Sequence, residues 1–470
     1  IVFGKTSRKS SQEKREMEKE TKVPHCLILP YPAQGHVNPM IQFSKRLIEK
    51  GVKVTLITVT SLWKSLSTKN LTSIEVESIS DGYDEGGLAA AKSLEDYKET
   101  FWRVGTQTLI ELLQKLSTSE NPPNCIIFDA FLPWVLDVGK SFGLLGVSFF
   151  TQSCSVNSIY FHAHEKLIEL PLTQSEYLLP GLTKLAPGDL PSFLYKYGSY
   201  PGYFDIVLNQ FSNIGKADWI LANTIYELEP EVVDWLVKIW PLRTIGPSLP
   251  SMLLDKRLKD DKDYGVSLSD PNTEFCIKWL NDKPKGSVVY ASFGSMAGLS
   301  EEQTQELAYG LKDSDTYFLW VVREIDQSRL PKGFVETSSK KGLIVTWCPQ
   351  LEVLTHEAVG CFVTHCGWNS TLEAVSIGVP LIAMPLWTDQ VTNAKLIADV
   401  WKMGVRAVAD EKEIVRSETI KNCIKELIET EKGCEIRKSA LKWKNLAKGS
   451  FDVGGRSDKN IDEFVDALSQ

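Results

Sequence analysis

No stretch of about 18 uninterrupted apolar residues occurs in the sequence, which argues against a membrane-spanning helix. A basic excess is missing too. The chain carries 52 Lys and Arg against 60 Asp and Glu, a net charge of −8, so nothing is left over to neutralise a nucleic-acid backbone. Cysteines are sparse and odd in number, nine in 470 residues from Cys26 to Cys434, without the compact spacing of a disulfide framework. That pattern predicts a reducing compartment and a cytoplasmic protein. Cys361, Cys366, His365 and His356 lack the paired spacing of a structural zinc site, so no metal is expected. No G-x-G-x-x-G follows a strand-like run and no G-x-x-x-x-G-K-[ST] is present, which removes the nicotinamide and flavin fingerprint and the commonest ATP loop. Residues 1–22 are polar and mixed in charge after three apolar residues, without the apolar middle of a secretory signal. Met17 reads as a natural start, and 1–22 is set aside as upstream or disordered sequence.

What is present is ordinary for a globular chain: 43% hydrophobic and 24% charged residues, with length for two or three domains. Cys26–Pro32 reads as a buried strand. A turn over Ala33–Val37 follows, then a helix opened by Asn38 as N-cap and Pro39 as first residue. Met40, Ile41, Phe43, Leu47 and Ile48 mark its buried side, and Gly51 ends it. Val52–Val59 is the next strand, completing a βαβ unit and implying a parallel sheet. Cys125–Phe128 and Val147–Phe150 extend that sheet. The second half repeats the grammar, with a strand at Ser287–Phe293 and a capping box at Ser300–Gln303. Four further strands are read at Tyr317–Val322, Leu343–Thr346, Cys361–Thr364 and Val379–Met384. Pro247–Pro271, rich in Pro, Ser, Asp and Lys, reads as a linker. The expectation is two doubly wound α/β domains facing each other across a cleft, where ligands sit beyond the carboxyl ends of both sets of strands.

Chemistry concentrates in Trp347–Gln390. At its centre Thr364-His-Cys-Gly-Trp-Asn-Ser-Thr371 joins a strand to a helix. Gly367 permits a tight turn, Asn369 or Ser370 caps the helix, and Gly378 stops it. Backbone N–H groups and the helix dipole there make an anion site without a basic side chain, to which His365 adds a donor. In the first half His36 lies in a strand-to-helix loop and Asp129 follows a strand, so both can reach one crevice.

The segment Trp347–Gln390 closely resembles the signature box of plant secondary-product glycosyltransferases, the UDP-sugar-dependent family with the GT-B fold. The likeness extends from about Val23 to the C-terminus through Gly35-His36, Asp129 with Pro133-Trp134, Phe293-Gly-Ser295 and Gly454-Gly455. Gln152-Ser-Cys154, Gly198-Ser-Tyr200 and Asp458-Lys-Asn460 resemble a branch acting on small acids, terpenoids and steroids. The resemblance implies two facing Rossmann-like domains: an acceptor-binding domain over 23–247, a linker over 248–271, a UDP-sugar-binding domain over 272–452, and a C-terminal helix in 453–470 packing back on the first domain. It implies that Trp347 stacks on uracil, that Gln350 and Glu373 hold the ribose, and that Ser295, His365, Asn369 and Ser370 hold the diphosphate. Asp389 and Gln390 would bond sugar hydroxyls, with Trp387 and Thr388 close by. Cys348, Gly367 and Trp368 complete the set of UDP-sugar-binding residues the resemblance implies, and Gln390 is the residue type associated with glucose.

His36 is then the base and Asp129 its orienting carboxylate. The expected reaction is inverting transfer of glucose from UDP-glucose to a hydroxyl or carboxyl of an apolar small molecule, by a monomer needing no other cofactor. An acceptor pocket is expected from Trp102, Phe131, Phe149, Gln152, Tyr200 and Phe204. Duller readings compete: His36 as a solvated loop residue, Asp129 as a helix cap, Ser370–Glu373 as a capping box, the aromatic residues as core, and His162 and His164 as ordinary surface histidines. Two whole-protein alternatives are a sugar-nucleotide isomerase or epimerase of the same architecture and a non-catalytic small-molecule carrier.

Overall fold

A computed structural model of the chain describes residues 23–65, 74–262, 264, 273–296 and 298–469. The segment 1–22 and much of the far end of the 248–271 linker lie outside the described residues.

Two wholly parallel sheets carry the fold. The first is built from β1 (His25–Leu29), β2 (Lys53–Val59), β3 (Glu75–Ile79), β4 (Cys125–Asp129), β5 (Leu145–Phe150), β6 (Trp219–Ala222) and β7 (Leu242–Thr244), in the order β3-β2-β1-β4-β5-β6-β7. The second comprises β8 (Val288–Ser292), β9 (Tyr317–Val321), β10 (Gly342–Val345), β11 (Val359–Thr364), β12 (Leu381–Ala383) and β13 (Gly404–Arg406), in the order β10-β9-β8-β11-β12-β13. The central strands read as apolar runs because helices cover both faces. Leu27, Ile57, Ile126 and Phe128 pack on one side of the first sheet, and Cys26, Ile28, Val54 and Ile127 on the other. In each sheet the strand order reverses once, between β1 and β4 and between β8 and β11. Those two switch points are where such sheets open a crevice.

The first helix runs Gln34–Glu49, five residues ahead of the expected start. Asn38 is therefore not its cap, and Pro39 sits inside it. Gly51, at φ 84°, ends it as expected. The helix after β11 spans Trp368–Ile377 with Gly367 at the N-cap, so neither Asn369 nor Ser370 caps it, and Ser370–Glu373 lies within the helix rather than forming a capping box. Gly378, at φ 82°, stops it. Ser300 caps Glu301–Asp313 as expected, accepting from the Gln303 N–H at 3.1 Å. The strands β3, β6, β7 and β13 were not anticipated.

The C-terminal helix Arg456–Leu468 lies against the first sheet. Ser457 Oγ donates to the Gly246 carbonyl at 2.7 Å, Asn460 Nδ2 to the Thr244 carbonyl at 2.8 Å, and Phe464 packs with Phe43 and Trp219. Among the described residues no helix is long and apolar enough to cross a membrane.

Candidate active site

The first switch point brings His36, in the opening turn after β1, against Asp129, the last residue of β4. His36 Nδ1 lies 2.7 Å from Asp129 Oδ2, with side-chain exposures of 17% and 1%. Asp129 also holds its own loop, because Oδ1 accepts the Phe131 N–H at 3.0 Å. Asp129 therefore does not cap the helix Trp134–Ser141, whose N-cap is Pro133 without a side-chain bond; one oxygen braces the loop before it and the other pairs with His36. Thr151, just beyond β5, puts its hydroxyl 3.1 Å from the same imidazole nitrogen. Sequence reading missed it, although strand order 1-4-5 sets the residues after these three strands on one edge. With Nδ1 engaged by a buried carboxylate, Nε2 is the nitrogen left to take a proton.

Around the imidazole stand Phe131, 4.8 Å between centroids, and Tyr31 at 5.4 Å. Tyr31 was not anticipated. A second aromatic group spans both halves: Trp387 meets Tyr203 edge-on at 5.0 Å, Phe193 at 5.7 Å and Tyr200 at 5.9 Å. Phe204 packs on Tyr197 nearby. Gln152 follows Thr151, 8% exposed, and its Oε1 lacks a hydrogen-bond partner. Two expected pocket residues are not brought here. Trp102 is 54% exposed, on the solvent side of Leu94–Ser117, and Phe149 is fully buried against Phe43 under the first helix. An inward-facing strand residue and an outward-facing helix residue look alike in a list of aromatic side chains.

At the second switch point the first backbone bond of the post-β11 helix runs from the Thr371 N–H to the Gly367 carbonyl, 2.9 Å. The N–H groups of Trp368, Asn369 and Ser370 therefore have no partner inside the helix, which makes them donors to an anion. The left-handed residue of this turn is Cys366, φ 65°, rather than Gly367. Gly367 is required for a different reason: a Cβ there would lie 2.5 Å from His365 Nε2, and one on Gly294 would lie 2.9 Å from the same ring. Burial depresses His365 to about 4, against a backbone hydrogen bond at Ser292 that raises it. Its ring is therefore neutral at pH 7 and adds a dipole to this end, with no formal charge. Ser295 is exposed in the loop after β8.

Beside this turn Gln350 links the next groups. Its Nε2 donates to Glu373 Oε2 at 2.6 Å and to Ser370 Oγ at 3.0 Å, while Oε1 accepts from the Tyr290 hydroxyl at 3.0 Å. Tyr264, from the linker, donates to Glu373 Oε1 at 2.6 Å. Trp347 is half-buried just after β10. Cys348 is buried beside Tyr290, 3.3 Å from its hydroxyl, and Trp368 donates from Nε1 to the Asn223 carbonyl at 2.7 Å. The latter two side chains build the frame, and Trp368 ties the two halves together.

The turn Trp387–Gln390 is held from both halves. Thr388, a β-branched residue at φ 54°, is strained there. It is fixed by paired bonds with Ser192: its N–H to Ser192 Oγ at 2.6 Å, and its carbonyl to the Ser192 N–H at 2.9 Å. Gln390 Oε1 accepts from the Leu386 and Trp387 N–H groups at 3.0 and 3.2 Å, and Asp389 Oδ2 accepts from Asn393 Nδ2 at 2.8 Å. Burial raises Asp389 to about 6, while the hydrogen bond from Asn393 pulls it back. His162 is buried, not superficial, and stacks on Trp235 at 4.9 Å. Among the described residues no three His, Cys, Asp or Glu side chains gather as metal ligands.

Burial pushes the Glu373 carboxyl up to about 7, although Tyr264 and Gln350 lower it. The folded chain therefore binds a proton that the unfolded chain has lost between about pH 4.5 and 7, and stability falls as pH rises through that window. Glu373→Gln is expected to stabilise the ligand-free protein by about 3 kcal/mol at pH 8, a gain that disappears near pH 4.5. Melting curves at the two pH values check this, and equal gains at both would show that ionisation is not the cause.

The site thus consists of two parallel sheets, with an acid–imidazole pair at the switch point of one and an amide-rich turn at the switch point of the other. The model of the UDP-glucoronosyl and UDP-glucosyl transferase family matches residues 226–443. Mogroside I-E synthase of Siraitia grosvenorii is 45% identical over 449 residues, 95% of this chain and 98% of that one. UDP-glycosyltransferase 74E2 of Arabidopsis thaliana is 48% identical over 445 residues, 94% of this chain and 98% of that one. The crystal structure of Os79 from O. sativa in complex with UDP superposes with a TM-score of 0.89 at 37% identity, covering 94% of this chain and all of that one. The chain belongs to the UDP-glycosyltransferase family, with the GT-B fold, and is a glycosyltransferase that moves sugar from a UDP-sugar to small molecules.

Proposed function

We propose that the protein transfers glucose from UDP-glucose to a hydroxyl or carboxyl group of an apolar small molecule, a phenolic acid, terpenoid or steroid, forming a β-glucoside or glucose ester. The observation carrying this reading is the His36–Asp129 pair, 2.7 Å apart, facing a donor turn whose Asn369 is bonded to Gly35, the residue before His36. In the proposed reaction His36 Nε2 takes the acceptor proton as the acceptor oxygen attacks the anomeric carbon. The bond from that carbon to the diphosphate breaks, and UDP leaves with the electron pair. The N–H groups of Trp368, Asn369 and Ser370 stabilise the charge that develops. A single in-line displacement converts an α-linked donor into a β-product.

On this reading Trp347 covers uracil, Gln350 and Glu373 hold the ribose, and Ser295, His365, Asn369 and Ser370 surround the diphosphate. Asp389 and Gln390 meet the hexose, and Gln390 Nε2 remains for a sugar hydroxyl while Oε1 braces its own loop. The aromatic wall of Tyr31, Phe131, Phe193, Tyr200, Tyr203 and Trp387 suits an apolar acceptor. No metal is required. We place the protein in the cytoplasm as a monomer, in keeping with nine unpaired cysteines of which only Cys434 is exposed.

An acceptor screen with UDP-glucose, read as the mass gain of one hexose over phenolic acids, triterpenoids and steroids, tests the proposal. UDP-glucose consumption only when acceptor is present is the expected result. Consumption without acceptor would instead support an isomerase or epimerase, and UDP binding with no turnover a carrier.

A further inference from the structure

Pro39 stands inside the helix Gln34–Glu49. A proline there has no amide hydrogen for the carbonyl four residues earlier, and its ring presses that carbonyl outward. The carbonyl belongs to Gly35, the neighbour of His36. It is not left to water: Asn369 Nδ2, in the first turn of the helix after β11, donates to it at 2.8 Å across the cleft. A Cβ at position 35 would stand 3.8 Å from that nitrogen, an ordinary contact, so the bridge depends on the carbonyl and not on the glycine. A side-chain amide carries two hydrogens. With one on the Gly35 carbonyl, the other can serve a diphosphate oxygen beside the free N–H groups of the same turn.

We propose that Pro39 is a positioning residue: by freeing the Gly35 carbonyl it gives Asn369 a cross-cleft acceptor, so that donor diphosphate binding and the seating of the His36 turn reinforce each other. This rests on the reading of the Gly367–Ser370 turn as the diphosphate site. Pro39 touches neither substrate; it acts through Gly35 and Asn369. An amide at position 39 would draw the Gly35 carbonyl back into the helix and take away the acceptor.

Coupling of this kind is reciprocal. UDP must favour the bridged arrangement by the same factor by which the bridge favours UDP. One neutral hydrogen bond supports a factor of about three to ten. The test uses the full chain and UDP alone, so it does not depend on knowing the acceptor. UDP affinity is measured by calorimetry, and hydrogen exchange of the peptide spanning Tyr31–Phe43 is followed with and without saturating UDP. In the unsubstituted protein UDP is expected to slow that exchange about three- to tenfold. Pro39→Ala should abolish the UDP-dependent slowing and raise the UDP dissociation constant by the matching factor. Alanine is the strongest helix former, and Pro39→Ser, which supplies the same amide with a different side chain, must give the same pattern. Unchanged UDP affinity, UDP-dependent slowing that survives in either variant, or disagreement between the two variants would overturn the proposal. Failure of the unsubstituted chain to bind UDP would instead overturn the donor reading beneath it.

Discussion

Replacing His36 by alanine is expected to lower transfer to a hydroxyl acceptor by at least about a hundredfold while leaving UDP binding within the normal range. Two features motivate the size of the effect. The imidazole is the titratable group at the first switch point with a ring nitrogen free to face the cleft, its Nδ1 being held by Asp129 and Thr151. The groups assigned to UDP sit on the other sheet, so the substitution removes proton transfer and spares the donor site. Turnover of a phenolic or alcoholic acceptor, with UDP affinity measured on the same preparation, separates the two. Unchanged turnover would remove the base role. A carboxylic acid acceptor arrives already ionised near neutral pH, so the same variant should lose far less activity on it. That contrast between acceptors reports the chemistry directly.

The parts of the fold legible in the sequence are those that are buried on both faces. β1, β8 and β11 are continuous apolar runs because helices cover each side of a parallel sheet, and they are also the strands that end at the two switch points. β3 is an edge strand with glutamates at Glu75 and Glu77, and β7 and β13 span three residues each. Such segments carry no periodic signal and are recruited by pairing with a neighbour. The start of the first helix was misread for a tertiary reason. Asn38-Pro39 is a sound local start signal, but a carbonyl satisfied from the other half of the chain lets the helix begin earlier.

The candidate site divides in the same way. The Trp347–Gln390 segment is contiguous, so its residues could be collected from the chain by resemblance, and His36 and Asp129 each follow a strand of one sheet. Thr151, Tyr31, Ser192 and Tyr264 come from four separate segments and meet the site only after folding. Ser192 illustrates the difficulty: nothing around it in sequence marks it, yet its two bonds hold Thr388 in a left-handed conformation. Trp368 and Cys348 show the converse. Membership in a recognised segment pointed to donor contact, whereas their side chains brace the frame, Trp368 through the Asn223 carbonyl and Cys348 beside Tyr290.

Asp129→Asn should be nearly as damaging as loss of the imidazole, with turnover on a hydroxyl acceptor falling about a hundredfold or more and UDP binding retained. The reason lies in how Asp129 divides its oxygens. Oδ1 accepts the Phe131 N–H, and Oδ2 faces His36 Nδ1. An asparagine can keep the backbone bond only by using its carbonyl oxygen there, which turns its NH2 group toward the imidazole. Nδ1 must then accept, so the ring proton moves to Nε2, the nitrogen that has to take the acceptor's proton. The ring stays in place in the wrong tautomer, and the carboxylate that would balance an imidazolium is gone. Rotating the amide the other way leaves NH2 against the Phe131 N–H, two donors facing each other in a buried turn. A variant that folds, binds UDP normally and keeps its activity would show that Asp129 braces the loop alone.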